Sequence, residues 1–304
     1  METLKNTITL SLLHSIFELM IPWPKSTPPT GPLWASNNAA ATNPIWHTLC
    51  WPSLLALSTT LPHNPPADLT PLLPPPSSSS FPETATGLII LLDQAPRYLC
   101  TGPNERWRNA FFDPLALTLR LHLAALPPTH RLDTPQRWLD QGYSFEHWVI
   151  IATFLAAPYA HSEDRAVHHT YMQPAVADLR ARVEARFGVE DALFQAQVAR
   201  GDLLRESGDV YAFARIAKGG WPAAGGLAER AFHFCWLLDA HEPIVERFGR
   251  YPYRNRALGR GDAEGEREFL VETGGFGTSV TEEDAVVIKE DVERGVWRAL
   301  EWME

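Results

Sequence analysis

The stretch FLAAPYAHSEDR, residues 154–165, carries an apolar run up to Pro158 and then into a knot of ionisable groups. His161, Glu163, Asp164 and Arg165 come first, with His168 and His169 close behind. The apolar half reads as a buried helix over residues 145–157. Ser162 reads as the N-cap of the next helix, with Glu163 and Asp164 in its first turn, where the helix dipole favours negative charge. That helix is expected to run to about Phe187, with Gly188 a natural C′ residue.

The same pattern spreads in both directions. Upstream, Leu88, Ile89, Ile90, Leu91 and Leu92 form an unbroken apolar run into Asp93 and Arg97. Trp107, Phe111, Leu115, Leu119 and Leu123 recur at helical spacing over residues 103–126, and Pro127 and Pro128 stop that helix. Downstream, helices are expected over residues 191–206, 227–248 (closed by Gly249), 264–272 and 282–302. Loops fall at residues 219–226 and at the glycine-rich break 274–277. No stretch shows strand alternation with hairpin turns. Helix after helix with short breaks predicts an all-α protein built from antiparallel neighbours.

Residues 22–86 differ. Pro, Ser, Thr and Asn dominate, and PLLPPPSSSSFP (residues 71–82) removes backbone donors and favours extended chain. Residues 64–84 read as a linker or surface loop, and residues 44–60 as one short helix. Leu10, Leu13, Phe17 and Met20 share one helical face, so residues 8–21 read as a packed amphipathic helix. His14 and Glu18 interrupt that run, which has no basic segment before it and no small-residue cleavage site after it, so a signal peptide is the weaker interpretation. The expected division is residues 1–84, 85–272 and 273–304.

Composition narrows the function classes. A formal charge of −10 argues against a general nucleic-acid surface, which needs a basic face to displace counterions. Three widely spaced cysteines, Cys50, Cys100 and Cys235, form no CxxC pair and suit a reducing compartment. The longest apolar runs fall well short of the ~20 residues a membrane span needs. The expectation is a cytoplasmic protein with no membrane partner.

Three segments in order resemble domain-of-unknown-function family 924: LLDQAPR (residues 91–97), PYAHSED (158–164) and HEPIVERFGRYPYRNRALGR (241–260). The resemblance covers about residues 85–272. It implies an all-helical fold similar to tetratricopeptide-repeat proteins, but no agreed activity. Tyr98 stands where the family commonly has Asn, and the family's aromatic-rich opening has no clear counterpart in the first 80 residues.

If these segments converge, they make a pocket of carboxylates, imidazoles and guanidiniums. Asp93 and Arg97 are four apart and share a helix face. His161 is the candidate proton shuttle, oriented by Asp93 or Asp164. Arg97 and Arg254 are the candidate clamps for a small anionic molecule, with Asn255 and Glu163 as further ligand-binding residues. The expected class is a small-molecule-binding protein or an acid–base hydrolase or transferase. The competing interpretation is a helical scaffold for a protein partner, in which the cluster only ties helices together. A metal held by His161, Glu163, Asp164, His168 and His169 is less favoured. The spacing fits no zinc template, and His168 and His169 point about 100° apart on a helix. No resident metal or cofactor is expected.

Overall fold

The computed structural model describes residues 2–29, 39–63, 66–222 and 225–302. Among these the chain is all-α, with no strand. In order the helices are α1 (Glu2–Thr7), α2 (Leu10–Met20), α3 (Ala39–Thr60), α4 (residues 81–99), α5 (residues 105–124), α6 (Pro135–Leu139), α7 (Phe145–Ala160) and α8 (residues 165–187). Then come α9 (Ala192–Arg200), α10 (Ala212–Gly219), α11 (Leu227–Asp239), α12 (Glu242–Phe248), α13 (Glu266–Glu272) and α14 (Glu282–Glu293).

Helices α4, α5 and α8 each contain one π turn: Ile90–Gln94, Arg108–Phe112 and His168–Met172. In each, the next amide bonds five residues back: Ala95 to Ile90, Asp113 to Arg108 and Gln173 to His168. Each turn is followed two residues later by a proline, Pro96, Pro114 or Pro174. A proline inside a helix lacks a donor and clashes with the carbonyl four residues earlier, and the wider turn makes room for its ring. Asp93 lies within the first π turn, Asp113 directly follows the second, and His168 opens the third.

The core forms around α2, α4, α7 and α8. Leu13, Ile16, Leu88, Leu91, Leu92, Trp148, Ile151 and Val183 are all buried in one apolar cluster, to which Leu4, Trp46, Cys50 and Leu54 also belong. The N-terminal helices thus share the core of the central ones. Phe17 stacks on Trp138 at 5.9 Å, and Glu83 ties the two regions through Tyr143, His14 and Lys25. Where α2 crosses α4, Gly87 permits backbone contact, because a Cβ there would lie 2.0 Å from the Leu13 carbonyl oxygen.

Several local expectations need correction. The presumed loop 64–84 buries Leu69 and Leu72 and already starts α4 at Phe81 with Pro82 in its first turn, a position that tolerates proline. Residues 64 and 65 of that loop lie outside the described residues. The single helix expected over 227–248 is two helices, broken at Ala240 and His241, with Pro243 in the first turn of α12. Helix α8 begins at Arg165, and Asp164, not Ser162, is its N-cap, accepting from the Ala166 amide at 2.8 Å. The last helix stops at Glu293, and Gly295 (φ 67°) turns the chain.

The following segment runs without helix along α3 and the start of α5. Trp297 packs on Trp107 (4.6 Å) and His63 (4.5 Å), and Trp302 on His47 (4.0 Å). The Trp107 indole N–H donates to the Arg298 carbonyl at 3.0 Å.

Candidate functional site

Asp93 and Asp113 are both buried, brought side by side by α4 and α5. Arg97 reaches both, donating from Nη1 to the Asp93 carbonyl and to Asp113 Oδ1 at 2.9 Å. Arg254 arrives from the turn after α12. Its Nη2 lies 3.1 Å from Asp113 Oδ2, and its Nη1 donates to the His161 carbonyl at 2.9 Å. Asp113 is thus the hub between two guanidiniums. Burial opposes its charge, but Arg97 and then Arg254 more than offset that and hold its carboxyl at about 2. Asp93 is also held below the ordinary carboxylate range, with burial opposed by Arg97 and then His161.

His161 is the C-terminal neighbour of α7 and sets its ring against Asp93, Nδ1 to Oδ1 at 2.7 Å. An ionised carboxylate only accepts, so Nδ1 carries the proton and Nε2 is the basic atom. Among the described residues nothing hydrogen-bonds Nε2. Burial, then the Arg97 charge, lower the ring's pKa against the pull of Asp93, which favours neutral imidazole at pH 7. The side chain is about one-fifth exposed, and His161 lines a cavity of about 230 Å³ with Asn109, Asp113, Pro114, Glu163 and Arg254.

The other candidates do different work. Glu163 sits at the cavity edge, bound at both oxygens by Arg260 (2.7 and 2.8 Å) and accepting from the Tyr251 amide at 3.0 Å. It pins the 251–260 segment to the start of α8. Asp164 is an exposed cap outside the cavity. Asn255 is buried but donates to Asp262 and Glu266, both at 2.9 Å, and so braces its own loop. His168 is buried and donates from Nε2 to the Ser162 carbonyl at 2.9 Å. His169 faces α12 instead. The five groups once considered for a metal therefore do not converge. The nearest such set around His161 is Asp93, Asp113 and His161, and there two guanidiniums already neutralise the carboxylates.

Behind the site lies His241, buried between Phe213 (4.0 Å) and Tyr251 (5.7 Å). Its Nδ1–H donates to the Leu237 carbonyl at 2.7 Å, and burial lowers its pKa to about 3.

Asp113 was not among the candidates read from the sequence. Its signal was present: one carboxylate in the apolar run FFDPLAL, four residues after Asn109 on the same helix face.

Helical architecture and a charge-balanced His–carboxylate–Arg centre define an all-α protein whose apolar core is accompanied by a polar centre beside a small cavity. The model of the family described as "Bacterial protein of unknown function (DUF924)" matches residues 76–274, well over half the chain, and the protein belongs to that family. The match contains all three motifs and ends before α14. No curated protein and no solved structure matches the chain. Among the described residues no helix is long and apolar enough to cross a membrane.

Proposed function

We propose that this chain is an enzyme acting on a small molecule, in which His161 Nε2 accepts a proton from the substrate or from water and later returns it, as in a hydrolase or transferase. The observation that carries the proposal is the Asp93–His161 pair at 2.7 Å, with His161 among the residues lining the cavity. A buried carboxylate on Nδ1 selects the tautomer and stabilises the imidazolium that forms on proton transfer. Arg97 and Asp113 are positioning residues: Arg97 holds Asp93 ionised, and Asp113, whose own charge works against that ionisation, fixes the Arg97 guanidinium in place. Arg254 both lines the cavity and fixes the His161 backbone. Arg97, Arg254 and Arg260 offset Asp93, Asp113 and Glu163 in formal charge. An anionic substrate would therefore have to compete with Asp113 for Arg254, which makes a small polar substrate the better fit. The alternative, a helical protein-interaction scaffold, is favoured by the mutual pairing of these same charges.

The test does not need the substrate. In chain labelled with ¹⁵N-histidine, with His161 assigned through His161→Gln, the ring should appear at pH 7 as the neutral Nδ1–H tautomer. Asp93→Asn should convert it to Nε2–H while the chain stays folded. An Nε2–H tautomer or a charged ring in the wild type would remove the proton acceptor. A screen of small esters, amides and phosphoesters supplies the second arm. Turnover that survives His161→Gln undiminished would exclude His161 as the proton acceptor, and absence of turnover with every substrate would favour the scaffold.

A further inference from the structure

On the far side of α8 from the cavity, the third π turn presents His169 toward α12. Two helix-spaced pairs face each other there: His169 and Gln173 on α8, Glu242 and Glu246 on α12. His169 Nδ1 lies 3.3 Å from Glu242 Oε1, and its Nε2 lies 3.2 Å from Glu246 Oε1. One ligand atom from each of the three residues falls within 4.8 Å of the others. The Gln173 amide nitrogen sits between two of them, 2.5 Å from Glu242 Oε1 and 3.2 Å from His169 Nδ1. If it donates to both, Nδ1 is an acceptor. An imidazole lone pair and a carboxylate oxygen then point into one space, bridged by an N–H₂ group that stands where a cation would.

Glu242 supplies the independent observation. It is 3% exposed, and its Oε2 has no hydrogen-bond partner among the described residues. As the first residue of α12 it gains from the helix dipole, yet a buried carboxylate with an unsatisfied oxygen is costly without a cation beside it. Burial accordingly raises its pKa. The spacing is also right. Ligands about 2.0–2.1 Å from a tetrahedral metal ion stand about 3.3–3.4 Å apart, close to the 3.3 Å between His169 Nδ1 and Glu242 Oε1, while Glu246 Oε1 now meets the other ring nitrogen.

We propose that His169, Glu242 and Glu246 form a binding site for one divalent transition-metal ion, with Gln173 turning its carbonyl inward as a fourth ligand. One imidazole and two or three oxygens suit a borderline ion of the zinc type. The ion uses one ring nitrogen. Glu246 swings to meet it and gives up part of its contact with Arg165, whose Nε now donates to Glu246 Oε1 at 2.9 Å. Such an ion clasps α8 to α12, the helix that leads into the 251–254 turn carrying Arg254 to the cavity.

The experiment is calorimetric titration of ZnCl₂ into tag-free, chelator-treated full chain, beside His169→Ala and Glu246→Gln. Both positions are exposed enough for these variants to fold, which their unfolding temperatures without metal verify. The three cysteines are buried and offer no competing surface thiol. The expected result is one saturable site per chain with a Kd of about 10 μM or tighter, weakened at least about tenfold in each variant. Wild-type chain without a saturable site, or variants that bind within about tenfold of it, would overturn the proposal. Because the readout is metal affinity, it stands or falls separately from the chemistry at His161.

Discussion

Replacing His241 by Phe should blunt the protein's loss of stability in acid. The ring is buried and neutral, with a folded pKa of about 3 against an unfolded value of 6.5. Between these values the unfolded chain binds a proton that the folded chain refuses, so stability falls as pH falls. The contribution is complete above about pH 7 and erodes below the unfolded pKa. From pH 8 to pH 5 the loss is RT ln(1 + 10^1.5), about 2 kcal/mol, since the folded ring stays almost fully neutral at pH 5. The assay is urea unfolding at both pH values for wild type and His241→Phe. Other groups titrate too, and Glu105, Asp239 and Glu242, with raised pKa values, push the opposite way. They are common to both chains and cancel in the difference. The variant should lose about 2 kcal/mol less than wild type, whatever its stability at pH 8, where it forfeits the bond to the Leu237 carbonyl. Equal losses, within about 0.5 kcal/mol, would show that His241 is not held neutral and that the space behind Tyr251 admits water.

Asp113→Ala leaves the buried Arg254 without its carboxylate and Arg97 with Asp93 alone, and should cost about 3 kcal/mol by denaturant unfolding; a loss under about 1 kcal/mol would mean the centre is solvated. Gly87→Ala forces the α2–α4 crossing apart and should cost roughly 3 kcal/mol, lowering the unfolding temperature by several degrees; an unchanged temperature would contradict the crossing. Trp297→Ala removes a ring that packs on Trp107 and His63 and under the Arg106 guanidinium at 4.3 Å, and should cost about 2 kcal/mol. Limited proteolysis should then cut near residues 295–302 much faster than in wild type.

The all-α class was legible because it rests on local periodicity, and the apolar spacing of residues 107–123 and 145–157 survives in α5 and α7. The pairing of His161 with Asp93 and the arrival of Arg254 could be anticipated because three polar segments interrupt otherwise apolar helices. What could not be read depends on phase and on distant partners. Asp164 and Ser162 are equally good N-caps locally, and only the tertiary path decides that Asp164 closes α8. Asn255 looks like a ligand residue until Asp262 and Glu266 are seen to claim it. The Pro-rich chain before Phe81 reads as solvent-exposed on composition, yet Leu69 and Leu72 find the core. The lone acid of FFDPLAL marks Asp113 as unusual, but its role as a hub depends on Arg97 and Arg254, which come from other elements.

The π turns bear on how the chain can change length over time. Each holds one residue more than an ordinary helical turn needs, and each borders a group of the polar centre or the α8–α12 junction. Removing one residue from 90–94 would let α4 close into regular helix with its two halves near their present phase, but it would abolish the wide turn that carries Asp93. Leu88 and Leu99 would keep their places in the core, while Asp93, inside the altered turn, would be re-aimed relative to His161. An insertion or deletion inside these turns is therefore of a different kind from one in the surface loops. Lineages of this chain should vary in loop length but hold the residue count of α4, α5 and α8 fixed.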